Sequence, residues 1–139
     1  MPKREIGNGD IVDSKGAAKK LRFGIVLLPQ FTLSALSLFL DCLRLAADAK
    51  DQSRQIRCSW DIAILSGNSV QSSSGMFVEP TASIGSVLEC DYVVIVGGLI
   101  GPQKKAPAGL LDLLRKINRT QIRLIGLCTG TFALAEANV

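Results

Sequence analysis

A single cysteine carries the strongest chemical signal in this chain. Gly126-Leu127-Cys128-Thr129-Gly130 reads as G-x-C-x-G, between the apolar run Leu124-Ile125-Gly126-Leu127 and a helix-forming stretch, Phe132 to Ala137. The pattern is a cysteine version of the nucleophile elbow, a strained strand-to-helix turn that lifts one side chain above a sheet. Glycines suit the flanking positions because the turn crowds the backbone. The helix that follows aims free N–H groups and the positive end of its dipole at the sulfur, which favours thiolate over thiol. A buried structural cysteine at an ordinary strand–helix turn has the same local composition. Cys128 is therefore either a nucleophile or part of the floor of a binding pocket.

A nucleophile needs a base within hydrogen-bond reach and a third group to orient that base. The chain contains no histidine, so carboxylates are the remaining candidates. Asp41 and Glu136 fall on helices, while Glu89 and Asp91 precede the central strand, at the wrong end of a parallel sheet for this pocket. None is placed as a convincing base. Gly97-Gly98 would present backbone N–H groups toward Cys128 as an oxyanion hole does, although a tight turn demands glycine equally. The other cysteines, Cys42, Cys58 and Cys90, are widely spaced and form no C-x-x-C pair. That spacing excludes the usual zinc patterns, and no metal or cofactor is expected. Redox sensing by these three lacks a nearby resolving cysteine. Unpaired thiols fit a reducing cytoplasm.

The elements that must position Cys128 follow from the apolar runs. Leu21 to Leu28 is continuously apolar apart from Arg22, the signature of a strand buried on both faces, and Pro29 ends it. Leu33 to Ala49 reads as a helix with Asp41, Arg44, Asp48 and Lys50 on its polar side. Its first half is apolar on nearly every side, which implies a second contact besides the sheet, such as a partner subunit. Ser59 to Leu65 predicts a second strand. Residues 66–83 are rich in Ser and Gly and predict a small hairpin around Val70 and Met76-Phe77-Val78, with no catalytic signature. Ile84 to Leu88 predicts one helical turn. Tyr92 to Val96 predicts the central strand, followed by Gly97-Gly98, a loop holding Pro102 and Pro107, and a helix from about Ala108 to Asn118. Strands alternating with helices predict an open parallel α/β sheet covered on both faces. Ligands of such sheets bind at the carboxyl ends of the strands. Gln30, Phe31, Gly97, Gly98, Leu99, Cys128 and Thr129 are accordingly the candidate ligand-binding residues.

Composition narrows the partners. The 139 residues fit one domain, and 47% hydrophobic residues indicate a packed core built mainly from aliphatic side chains. The net charge of +4 gives no clustered basic stripe, so nothing here is expected to read DNA bases. Residues 1–20 mix charges and glycines without apolar periodicity and predict a disordered tail. Leu21 to Leu40 is apolar enough to suggest a membrane span, but Pro29-Gln30 interrupts it and Thr32, Ser34 and Ser37 follow. A strand–loop–helix unit explains the same residues, and no membrane role is expected.

Taken together, these segments resemble PfpI/ThiJ-like (class I glutamine amidotransferase-like) domains. The resemblance runs through Phe23-Gly24-Ile25-Val26-Leu27-Leu28-Pro29-Gln30-Phe31-Thr32-Leu33, Phe39 to Ala46 and Asp91 to Gly98. Gly126 to Ala137 is most similar to the GlxA-type branch of AraC-family transcriptional regulators, where such a domain precedes a DNA-binding region. The resemblance covers residues 21–139. It implies a flavodoxin-like three-layer sandwich with a mostly parallel sheet, incomplete at its C-terminal side. It also implies a pocket near Cys128 that has become a small-molecule sensor. Catalytic and redox members place a glutamate early in the first helix, near Ala35 here, and no carboxylate occurs between Leu21 and Leu40. Hydrolase, amidotransferase or glyoxalase-type activity is therefore not expected.

The resulting expectation is a ligand-sensing, homodimerising domain of a cytoplasmic regulator rather than an enzyme. It would bind an amino-acid-like or amine effector and reach DNA only through a C-terminal helix-turn-helix absent from this chain. The competing readings are a PfpI/ThiJ-type cysteine enzyme or redox-responsive thiol protein using Cys128, and an interaction domain with a vestigial pocket.

Overall fold

The computed structural model describes residues 18–99 and 105–139. The expected tail falls mostly on residues 1–17, which lie outside the described residues, as does Pro102. The elements follow as β1 (Leu21–Leu27), α1 (Leu33–Ala47), β2 (Cys58–Ala63), β3 (Val70–Gln71), β4 (Phe77–Val78), a 3-10 segment (Ile84–Glu89), β5 (Tyr92–Val96), α2 (Ala108–Asn118), β6 (Arg123–Leu127) and α3 (Gly130–Ala137).

β1, β2, β5 and β6 form one parallel sheet in the order β2-β1-β5-β6. Alternation of side chains along each strand divides its residues between two cores. Ile25, Leu27, Val94 and Val96 point to the α1 side and pack with Leu36, Leu43 and Ala47. Val26, Val93 and Ile95 point to the other side and pack with Val87, Leu110, Leu114, Ile117 and Ala133. The result is the expected three-layer α/β sandwich. Burial of a full side chain such as Ile25 or Ile95 contributes about 1.5–3 kcal/mol, and both are 0% exposed. Strand order reverses between β1 and β5, so their carboxyl ends diverge there and leave room above the sheet. β3 and β4 pair antiparallel, Val70 with Val78, in a separate small hairpin.

Three expectations change in detail. β2 runs from Cys58 to Ala63 rather than from Ser59 to Leu65. α1 stops at Ala47, two residues early, because Asp48 turns into extended backbone. Asp48 is not on the polar side of that helix. It is 3% exposed, and its carboxylate accepts the Lys50 and Arg54 N–H groups and the Arg54 guanidinium at 2.8 Å. The Arg54 contact, reinforced by the backbone donors, outweighs partial desolvation and holds the Asp48 carboxyl well below the usual carboxylate range. α1 buries one side only: Leu36, Leu43 and Ala47 face the sheet, while Leu38 is 67% and Leu45 53% exposed.

Candidate functional site

The elbow forms as its sequence predicts. β6 ends at Leu127, α3 starts at Gly130, and Cys128 adopts φ +51 between them. A left-handed non-glycine residue stores about 1–3 kcal/mol of strain, which surrounding contacts must hold in place. Close backbone approach supplies those contacts. A Cβ on Gly130 would stand 2.0 Å from the Ile95 carbonyl oxygen, and one on Gly98 would stand 1.8 Å from that of Gln30. Only glycine lets the ends of β1, β5 and β6 come this close.

Hydrogen bonds fasten the three ends together. The Gly97 carbonyl accepts the Thr32 N–H at 3.0 Å, and the Gln30 carbonyl accepts the Leu99 N–H at 3.0 Å. The Thr129 hydroxyl donates to the Gly98 carbonyl at 2.8 Å. These bonds bear on half of the oxyanion-hole expectation, the Gly97 N–H. The Gly97 N–H is committed to the Leu127 carbonyl at 3.2 Å, so the Gly97-Gly98 pair acts first as a clasp between strands.

Cys128 is exposed, and its sulfur lies 3.3 Å from the Thr32 hydroxyl. Thr32 is the N-cap of α1, yet its side chain makes no cap bond. α3 likewise starts without a side-chain cap or an acidic residue in its first turn. The positive dipole ends of two helices thus lie near one sulfur and two hydroxyls, although the Thr131 and Phe132 N–H groups of α3 already bond to the Cys128 and Thr129 carbonyls. Among the described residues, the side-chain hydrogen-bond partner of this sulfur is a hydroxyl and not a base. Burial pushes the Cys58 and Cys90 thiols above their ordinary value. Among the described residues no three His, Cys, Asp or Glu side chains gather as metal ligands.

Beside the elbow lies a cavity of about 500 Å³, lined by Leu28, Pro29, Gly97, Gly98, Leu99, Lys105, Ala106, Pro107, Thr129, Phe132, Ala133 and Glu136. Of the sequence candidates, Gly97, Gly98, Leu99 and Thr129 line it. Cys128 and Gln30 stand outside it, joined to it through Thr129 and Leu99. Phe31 is a correction: it is 0% exposed and belongs to the α1-side core. Its backbone is bridged to Ser72 on one side and Gly98 on the other, which turns the ring inward. Sequence reasoning missed Thr32 and Phe132, and it weighed Glu136 only as a base, not as a wall of the pocket. Phe132 and Glu136 are four apart on α3 and so share a face. That spacing was legible; what lay opposite, Ala106, whose N–H donates to the Glu136 carboxylate at 2.9 Å, was not.

No helix among the described residues is long and apolar enough to cross a membrane. The DJ-1/PfpI family model matches residues 47–139. The chain is 30% identical over 116 residues to the HTH-type transcriptional regulator GbdR of Pseudomonas aeruginosa, covering 84% of this chain and 30% of that protein. It is 27% identical over 117 residues to the HTH-type transcriptional regulator CdhR of the same organism, covering 84% of this chain and 33% of the relative. The chain thus spans about a third of the length of these curated relatives. A crystal structure of an AraC family transcriptional regulator from Pseudomonas putida superposes with a TM-score of 0.71 at 27% identity, over 85% of this chain and 61% of that one. The matched segment holds the central strand, the Gly97-Gly98 clasp and the Cys128 elbow, and on that evidence this chain belongs to the DJ-1/PfpI family.

Proposed function

We propose that this chain is the effector-sensing domain of an AraC-type transcriptional regulator and has no enzymatic activity of its own. One observation carries the reading. The polar side chain beside the elbow sulfur is the Thr32 hydroxyl, where nucleophilic catalysis would need a base, and the chain has no histidine. The regulators to which the chain is similar support the same conclusion. The effector is a small amino-acid-like or amine metabolite held in the cavity beside Cys128. Its carboxylate would lie toward the N-terminal end of α3, where Thr129 lines the cavity, and its cationic end against Glu136, with the apolar walls taking the remainder.

In the intact regulator, occupancy of this cavity would change the placement of a C-terminal helix-turn-helix and so control DNA binding. The domain would dimerise, the exposed Leu38 and Leu45 of α1 offering an apolar face, and would act in the cytoplasm, where four free thiols persist. Thermal-shift measurements on the full-length protein against amino acids and methylated amines test this. At least one is expected to raise Tm by several degrees at saturation, and Glu136→Gln to abolish that response. The exposed, left-handed Cys128 favours one competing reading, a cysteine enzyme or redox-responsive thiol protein. Turnover of an α-oxoaldehyde or a peptide, with no stabilisation by any amine or amino acid, would establish the enzyme instead.

A further inference from the structure

The β3–β4 hairpin carries no catalytic signature in sequence, yet it holds Ser72, which is 1% exposed. We infer that Ser72 is a positioning residue for Cys128, acting through the hairpin and the loop between β1 and α1. The Ser72 hydroxyl accepts the Met76 N–H at 3.0 Å and shares a hydrogen bond with the Ser74 hydroxyl at 3.0 Å. The Ser72 N–H donates to the Met76 carbonyl at 2.8 Å, and the Gly75 N–H to the Ser72 carbonyl at 3.0 Å. One buried hydroxyl and two backbone bonds together therefore knit the turn from Ser72 to Met76.

The knitted turn grips the site loop. The Gln30 N–H donates to the Gln71 carbonyl at 2.9 Å, and the Ser73 N–H donates to the Phe31 carbonyl at 2.9 Å. Phe31 is thereby clamped between the hairpin and Gly98. Gln30 is held at φ +62, a conformation that contacts outside the residue must maintain. Thr32 is the next residue along, and its hydroxyl meets the Cys128 sulfur. Loosening the turn frees Phe31 and Gln30, and Thr32 moves with them. This coupling does not depend on any effector in the cavity.

Alkylation by iodoacetamide reads the coupling directly. In the full chain, the rate at Cys128 is measured relative to Cys42, also exposed, by peptide mass spectrometry, while the buried Cys58 and Cys90 report unfolding. A thiolate can only accept, so in the reacting form Thr32 is the donor, and Thr32→Val is expected to slow Cys128 about tenfold relative to Cys42. Ser72→Ala is expected to slow it about three- to tenfold in the same direction with Cys58 and Cys90 still protected. Gly75→Ala loosens the turn by another route, because Gly75 sits at φ +91 with open space around it, and is expected to slow Cys128 about twofold or more. If Ser72→Ala exposes the buried thiols, the Gly75→Ala ratio decides alone. Thr32→Val slowing Cys128 while the hairpin variants leave the ratio within about 1.5-fold of wild type would overturn the inference.

Discussion

The two ends of α1 meet opposite fates. At its C-terminal end Asp48 is buried, and its carboxylate takes two backbone N–H groups and the Arg54 guanidinium. At its N-terminal end no acidic residue and no side-chain cap meets the free N–H groups, and the N-cap hydroxyl turns to the Cys128 sulfur instead. Both ends border loops that leave the same helix, so the contrast is one of task. Where the chain only has to turn, its polar groups satisfy one another. At the end that borders the elbow, the N-cap side chain leaves the helix uncapped and the backbone is held closely around it.

That contrast breaks first at the glycine clasp. Gly98→Val forces a side chain into the Gln30 carbonyl, where even a Cβ would stand 1.8 Å away. It is expected to cost about 3–5 kcal/mol in urea unfolding, in the range of severe backbone clashes. A cost below about 1 kcal/mol would show that the open end is not rigid. Next comes the closed end. The Asp48 carboxyl lies below its ordinary value of 3.8 when folded, chiefly because of Arg54. A depressed carboxyl contributes stability that is complete above the unfolded value and is lost as pH falls through the folded one. Asp48→Asn is therefore expected to lower Tm by several degrees at neutral pH and to flatten the loss of Tm between about pH 5 and pH 2. An unchanged acid limb in the variant would assign that limb to Asp91, which is also held low: burial pushes its carboxyl up, but Lys19 and the Arg22 N–H outweigh it.

How much of this was legible in the sequence depends on the range of the interaction. Tyr92–Val96, the β3–β4 hairpin and Ala108–Asn118 could be read from apolar runs and turn residues, because local patterning decides them. The Cys128 elbow was legible for the same reason, since its glycines and strand lie within five residues of one another. Asp48 was misread as a helix-surface residue because its partner, Arg54, reaches it only after the chain has turned. Phe31 was misread as a pocket residue because position at a strand end says which loop a residue occupies, not which way its side chain turns. Thr32 and Ser72 carried no signal in composition or spacing. Their roles come from loops that meet only once the sheet has formed.

The smallest expected effect gives the most direct test of why α1 is left open. Ala35, where the family resemblance places an acid, packs partly against the α1-side core, so a glutamate there would disturb packing as well as charge. Ser34 is exposed in the same first turn, and Ser34→Glu adds the charge with little else. Negative charge in the first turn of a helix stabilises it by about 0.3–1 kcal/mol, so the variant is expected to be slightly more stable in urea unfolding at low salt, the gain shrinking as salt is added. If the open end receives the carboxylate of an effector, the same substitution weakens carboxylate-bearing ligands relative to amines that lack one. A variant that is more stable yet binds both classes as before would mean that the free N–H groups are simply solvated and the cavity walls alone select the ligand. Weaker binding of carboxylate-bearing ligands by the more stable variant would mean that stability and recognition pull in opposite directions at this one turn.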